Sequence, residues 1–381
     1  MSKPGQQLIP GLTLGHYTHP QARTGCTVLV CEAGAVAGVD IRGSASGTRE
    51  IEPLRPDHLV DRVHAVGIAG GSAFGLAAAD GVMEYLEQHG VGFDVGVTRV
   101  PIVSAAIIFD LGVGSPWIRP DRQAGYSAAA SARGDRVEQG RVGAGTGATV
   151  GKLLGSACAS PGGFGFSSLK FSAPQDAKAR GAKQTKKTQE ITIQAFAVVN
   201  AFGDVFNPQK RKIIAGARRS PSSRIFADTY TLMKRGIIRS EFKSARSGDS
   251  SRSAAKRSPL SATARESLQR MARQMPPAVR KMFEREGADT GSRFNMQNTT
   301  VVVVATDAQF NKIQMQKIAQ MAQNGVARTI RPAHTLFDGD TVFALSVPDP
   351  KHPLQADVNA AGEVAAEAVA KAVVAAVKLT R

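Results

Sequence analysis

A mixed fold of strands and helices, of the α+β class, is what the sequence predicts, on three observations. Short apolar runs such as residues 27–31 (TVLVC) and 300–305 (TVVVVA) have strand character, Ala-rich stretches between such runs carry helical periodicity, and no long strand–helix–strand regularity joins them. With 381 residues, 42% of them hydrophobic and 21% charged, the chain can bury a large core, which excludes disorder throughout.

Residues 27–31 read as a buried strand. Residues 71–88 place Leu76, Ala79, Met83 and Leu86 near one helical face, with His89 and Gly90 as the stop. Residues 102–111 and 191–199 read as buried strands, the second with Ile191, Ile193, Ala195, Ala197 and Val199 on one side. Residues 300–305 make a further strand. Thr306 and Asp307 then cap a helix that runs to about Gln323 and stops at Asn324-Gly325. A strand over 342–347 and a closing Ala/Val-rich helix over 359–379 complete the chain. No internal repeat is evident.

Between 210 and 293 the texture changes to Ser, Arg, Lys and Ala. Residues 263–286 have the pattern of a charged helix, but the middle lacks the apolar content to fold alone. The formal net charge of +17 resides here: residues 207–298 carry 21 Lys and Arg against 7 Asp and Glu, leaving 27 against 24 elsewhere. Lys/Arg density supplies only non-specific phosphate attraction, and no interleaved aromatics offer base stacking, so the segment reads as a solvated insertion before it reads as a polyanion tether.

Several function classes drop out. The three cysteines, Cys26, Cys31 and Cys158, are odd in number and spaced unlike a zinc site, so neither a disulfide scaffold nor a metal centre is expected. No window of 18 uncharged apolar residues spans a membrane, and a cytoplasmic protein is expected. Gly143, Gly145 and Ala148 satisfy G-x-G-x-x-A, but a polar stretch precedes them and no acid between Glu138 and Asp176 takes a ribose hydroxyl. Gly151-Lys152 lacks the Gly at 146 and the Ser or Thr at 153 of a phosphate loop, Ser72 misses the G-x-S-x-G elbow, and no H-E-x-x-H occurs. No cofactor is expected.

The junction Asn298-Thr299-Thr300 is different. A Thr at the mouth of a buried strand, after a loose segment, has the layout of an N-terminal nucleophile. Cutting the bond before Thr299 frees an α-amine, of ordinary pKa about 7.7 to 8.0, that takes the proton of its own hydroxyl without a separate His. On spacing alone, a loop entering a sheet is the commoner meaning.

The chain resembles the DmpA-type family of self-processing aminopeptidases and amidases, and within it the nylon-oligomer (aminohexanoate-oligomer) hydrolase branch. The resemblance rests on LTLGHYTHPQARTGCTVLVCE, AGGSAFGLAAADGVMEYLE, VPIVSAAIIFDLGVG, GTGATVGK, AVVNAFGDV, QNTTVVVVATDA and HTLFDGDTVFALS, in the family's order. It implies an αββα sandwich like that of N-terminal nucleophile hydrolases. Residues 1–206 and 298–381 would be two parts of one catalytic sandwich, with 207–297 a basic insertion between them.

It further implies autocleavage between Asn298 and Thr299, with Thr299 the nucleophile of the new chain. Lys152 would be the cation beside it and Asn200 the amide donor to the oxyanion. Asp338 and Asp340 would be paired acids, one orienting Lys152 and Thr299 and the other receiving a substrate amine. One departure stands out: the family's usual Tyr is Phe109 here, on the substrate side of the site, so a donor is missing and Asn200, a backbone N–H or water has to suffice. The resemblance implies cleavage of short peptides or linear amino-amide oligomers, and an αβ heterodimer that assembles further. The alternatives are an aminopeptidase on N-terminal or β-amino-acid residues, an acyl transferase like ornithine acetyltransferases, and a non-catalytic scaffold binding nucleic acid through the insertion.

Overall fold

The computed structural model describes residues 7–174, 188–237 and 298–380. Met1–Ile237 with Gln297–Arg381 form one compact unit and Ile238–Met296 another. The second unit, with the charged helix expected over 263–286, lies outside the described residues.

The first unit is built around the strand Thr24–Ile41. Its first part pairs with Thr13–His19 on one side and Val63–Ala69 on the other, Cys26 lying opposite Ala69. The register then shifts between Val30 and Ala35, and the last part pairs with Thr341–Ser346, Val39 lying opposite Phe343. The strand therefore contributes to two sheets that face each other. In one, Val63–Ala69 runs parallel to Val103–Ile107. In the other, Gly163–Pro174, Thr188–Asn200, Thr299–Thr306 and Thr341–Ser346 lie side by side, the last two parallel and the rest antiparallel.

Alternation of side chains makes the layers. Along Thr299–Thr306, Val301, Val303 and Ala305 enter the core between the sheets, with Leu29, Ile68, Phe196 and Phe343, while Val302 and Val304 pack on the helices Lys312–Thr329 and Val358–Lys378. Both faces are covered, so the strand reads as a continuous apolar run, and each buried Val contributes about 1.5 to 3 kcal/mol. Ile191, Ile193, Ala195, Ala197 and Val199 share the helix-facing side, as their spacing predicts. On the far sheet, Val28, Val30 and Ala65 pack against the helices Ala78–Gln88 and Arg122–Ala130. The order is helices, sheet, sheet, helices.

Three expectations are corrected. Residues 72–77 wind as a 3-10 turn before the α-helix Ala78–Gln88, which ends at His89 as expected. The helix after the strand Thr299–Thr306 starts at Lys312, where Asn311 and Gln314 form a reciprocal capping box; Asp307 instead accepts from the Thr192 N–H at 2.8 Å. Nor does Gly325 stop that helix. A Cβ there would lie 2.3 Å from the Ala366 carbonyl, so the glycine lets the last two helices touch. Within the segment read as insertion, the strand Lys212–Ala215 pairs with Asp204–Asn207, and a helix follows at Thr229–Lys234. Buried Asp204 gathers them, accepting from Ala217 N at 2.8 Å, Thr229 N at 2.7 Å and Thr229 Oγ1 at 2.9 Å. Among the described residues, no helix is long and apolar enough to cross a membrane.

Candidate active site

Pairing of two strands puts the first two site residues together: Asn200 closes Thr188–Asn200, Thr299 opens Thr299–Thr306, and they are register partners. Asn200 is 0% exposed and Thr299 1%. The Thr299 Oγ1 is buried without a hydrogen-bond partner, so its hydroxyl is not spent on structure.

Lys152 reaches the same point from the GTGATVGK loop. Gly151 turns the chain at φ 72°, where a Cβ would collide with Ala217 N, and Lys152 N donates to Phe202 O at 2.9 Å. The side chain is 4% exposed, and Nζ donates to Asn200 Oδ1 at 2.8 Å and to Asn200 O at 3.1 Å. Asn200 Oδ1 also accepts from Thr149 N at 3.0 Å, while Nδ2 donates to the Phe109 carbonyl at 3.0 Å. Asn200 is thus locked in one orientation, with its amide nitrogen toward residue 109. Phe109 contributes a carbonyl acceptor here and its ring brings no donor.

Asp338 and Asp340 are both buried, and their carboxylates serve different partners. Asp338 Oδ1 accepts from Phe202 N at 3.0 Å, and Oδ2 from Thr335 N at 3.1 Å and Thr335 Oγ1 at 2.5 Å. Asp340 Oδ1 accepts from Thr300 N at 2.8 Å, and Oδ2 from His334 N at 3.0 Å and faces His334 Nδ1 at 2.9 Å. Burial first, and the charge of Asp340 second, push the Asp338 carboxyl up to about 6.

Asn298 is anchored on the same loop. Its N–H donates to Phe337 O at 2.8 Å, its side-chain Nδ2 to the same oxygen at 3.2 Å, and its carbonyl accepts from Gly339 N at 2.6 Å. All seven residues expected from the sequence are thereby placed within one connected hydrogen-bond region around the Asn298-Thr299 peptide.

Four neighbours are absent from the sequence expectation. His334, at φ 57°, is a non-glycine residue in the left-handed region and grips Asp340 twice. Thr335 holds Asp338, and Gly339 holds the Asn298 carbonyl. Asp110 accepts from Thr24 Oγ1 and Gly71 N, both at 2.7 Å; burial pushes its carboxyl up and the nearby Lys152 charge draws it down. Each lies one to four residues from a residue expected from the sequence, in the blocks FDLGVG or HTLFDGD, so adjacency was the available signal. Among the described residues no cluster of three His, Cys, Asp or Glu is arranged to hold a metal ion.

The fold is shared with an L-aminopeptidase D-Ala-esterase/amidase from Ochrobactrum anthropi, described as a variant of the Ntn hydrolase fold (TM-score 0.56, 14% identity, 100% of this chain and 88% of that one). It is shared also with a β-aminopeptidase from Burkholderia sp. (TM-score 0.53, 18% identity, 99% of this chain and 88% of that one). The architecture is therefore that of the N-terminal nucleophile hydrolases. The chain belongs to peptidase family S58, which it matches over residues 9–380, and it is a hydrolase of amide bonds. Its relatives include an uncharacterised aminopeptidase of Mycobacterium tuberculosis, 36% identical over 97% of this chain and 92% of that protein. A 6-aminohexanoate-oligomer endohydrolase of Kocuria sp. strain KY2 is 26% identical over 97% of this chain and 85% of that protein.

Proposed function

We propose that the chain cuts itself between Asn298 and Thr299 and then hydrolyses amide bonds of short peptides or linear amino-amide oligomers through an acyl-Thr299 intermediate. The observation that carries this reading is the Thr299 hydroxyl, buried, without a hydrogen-bond partner and adjacent to its own preceding carbonyl.

In the first step Thr299 Oγ1 attacks the Asn298 carbonyl carbon, the C–N bond breaks, and the nitrogen takes a proton. Water then hydrolyses the ester, leaving a carboxylate on Asn298 and a free amine on Thr299. In turnover that amine takes the hydroxyl proton, Oγ1 attacks the substrate carbonyl, the substrate amine leaves with the proton, and water releases the acid. The Lys152 cation disfavours protonation of the neighbouring amine, and the Asn200 amide donates to the tetrahedral oxygen. Asp340 orients the start of the nucleophile strand through Thr300 N, and the Asp338/Asp340 pair gives the site the negative charge that a substrate ammonium seeks. The products of cutting are an α chain of residues 1–298 and a β chain of 299–381, held as a heterodimer by the shared sheet.

A second reading, release of amino-terminal residues, is favoured by the higher identity to the mycobacterial aminopeptidases than to the oligomer endohydrolases. Both readings use the same nucleophile. Intact-mass measurement of wild type beside Thr299→Ala tests that shared step: wild type should yield an 83-residue fragment beginning at Thr299, and the variant should stay whole. An uncut wild type after long incubation at neutral pH would sink the nucleophile assignment.

A further inference from the structure

We propose that the backbone N–H of Gly339 is the oxyanion donor for self-cleavage, an inference that rests on the reading of Thr299 as self-processing. The oxygen that gains charge when Thr299 attacks is the Asn298 carbonyl oxygen. That oxygen already accepts from Gly339 N at 2.6 Å, at the short end for an N–H···O bond. A donor aimed at the place where charge develops, in a buried site, lowers the barrier without reorganising.

The donor is held rigidly. Asp338 N donates to Thr335 O at 3.1 Å, Ala45 N to Asp338 O at 2.9 Å, and Thr341 Oγ1 to Gly339 O at 3.0 Å, so the peptides on both sides of Gly339 are pinned. The two flanking carboxylates are pinned as well, by Phe202, Thr335, Thr300 and His334. Glycine is required by this packing: a Cβ at 339 would lie 2.6 Å from the Ala45 carbonyl oxygen and 2.8 Å from Ser46 Cα. Any side chain would move the loop and lift the N–H off Asn298. The amide of Asn200, by contrast, is directed at the Phe109 carbonyl while the chain is whole. A backbone N–H therefore supplies what the Phe109 ring lacks.

The test replaces one atom. The full chain is made by cell-free synthesis with glycolic acid at position 339, which exchanges the N–H for an ester oxygen without adding a side chain, and the rate of cutting at Asn298-Thr299 is compared with wild type. A slowing of about a hundred-fold, with unchanged near-ultraviolet circular dichroism, is expected; cutting at the wild-type rate overturns the proposal. A second measurement does not need the ester protein. In uncut Thr299→Ala, a through-hydrogen-bond NMR coupling is expected between Gly339 nitrogen and the Asn298 carbonyl carbon, and its absence overturns the proposal equally. A wild-type chain that never cuts, with the coupling present, refutes self-processing and with it the donor's role. The two failures are thus distinct.

Discussion

Lys152 Nζ donates to Asn200 Oδ1 at 2.8 Å, and Asn200 stands opposite Thr299 in the sheet. One buried cation thereby sets the orientation of the amide beside Thr299. Because Oδ1 faces Lys152 and Thr149, Nδ2 is the atom left to donate, which is the polarity an oxyanion site needs.

Replacing Lys152 by Met keeps length and removes both bonds to Asn200. Losing a buried charged donor costs about 1 to 3 kcal/mol, and kcat on an amide substrate should fall by about a hundred-fold or more. Urea unfolding with an unchanged m-value checks the first figure, and steady-state kinetics the second. Lys152→Arg should not restore the rate, because a planar fork does not reproduce a point charge. Full activity in either variant would remove Lys152 from the site.

Restoring the hydroxyl that the sequence lacks should help. Phe109→Tyr is expected to raise kcat, by up to about a hundred-fold, with little change in KM, since a donor felt only in the transition state acts on kcat. A rise confined to substrate affinity would place residue 109 in binding alone.

The raised Asp338 carboxyl makes a signed pH prediction. Its folded value of about 6 exceeds its ordinary 3.8, so the folded chain keeps a proton that the unfolded chain releases, and this contribution to stability is lost as pH rises through that window. Asp338→Asn does not titrate. In an uncut Thr299→Ala background, which keeps a single species, its stability deficit should be largest below about pH 4, shrink as pH rises from 4 to 6, and level off above that. Chemical denaturation at several pH values reads this; a deficit independent of pH would contradict it.

Much of the scaffold was legible locally. The run TVVVVA has to be a strand covered on both faces, and the two-residue period of Ile191 to Val199 names the side that meets the helices. Gly325 shows where local reasoning fails: Asn-Gly is a common helix stop, but a packing demand from Ala366 and Val369 overrode it. Likewise Thr306-Asp307 has cap chemistry, yet Asp307 was claimed by a strand 115 residues away.

By itself the sequence determined which segments are apolar enough to be buried and which residue types are reactive, because both depend on neighbours within a few positions. Through family resemblance it also named Thr299, Lys152, Asn200, Asp338 and Asp340. Only the tertiary structure decided that Asp340 is shared between Thr300 and His334, that Asp338 is tied to Phe202 and Thr335, and that the Gly339 N–H meets the Asn298 carbonyl. Those meetings join segments far apart along the chain, and one of them uses a backbone group that every residue except proline carries. No side-chain pattern encodes such a donor; its position follows from how the loop around Gly339 is clamped.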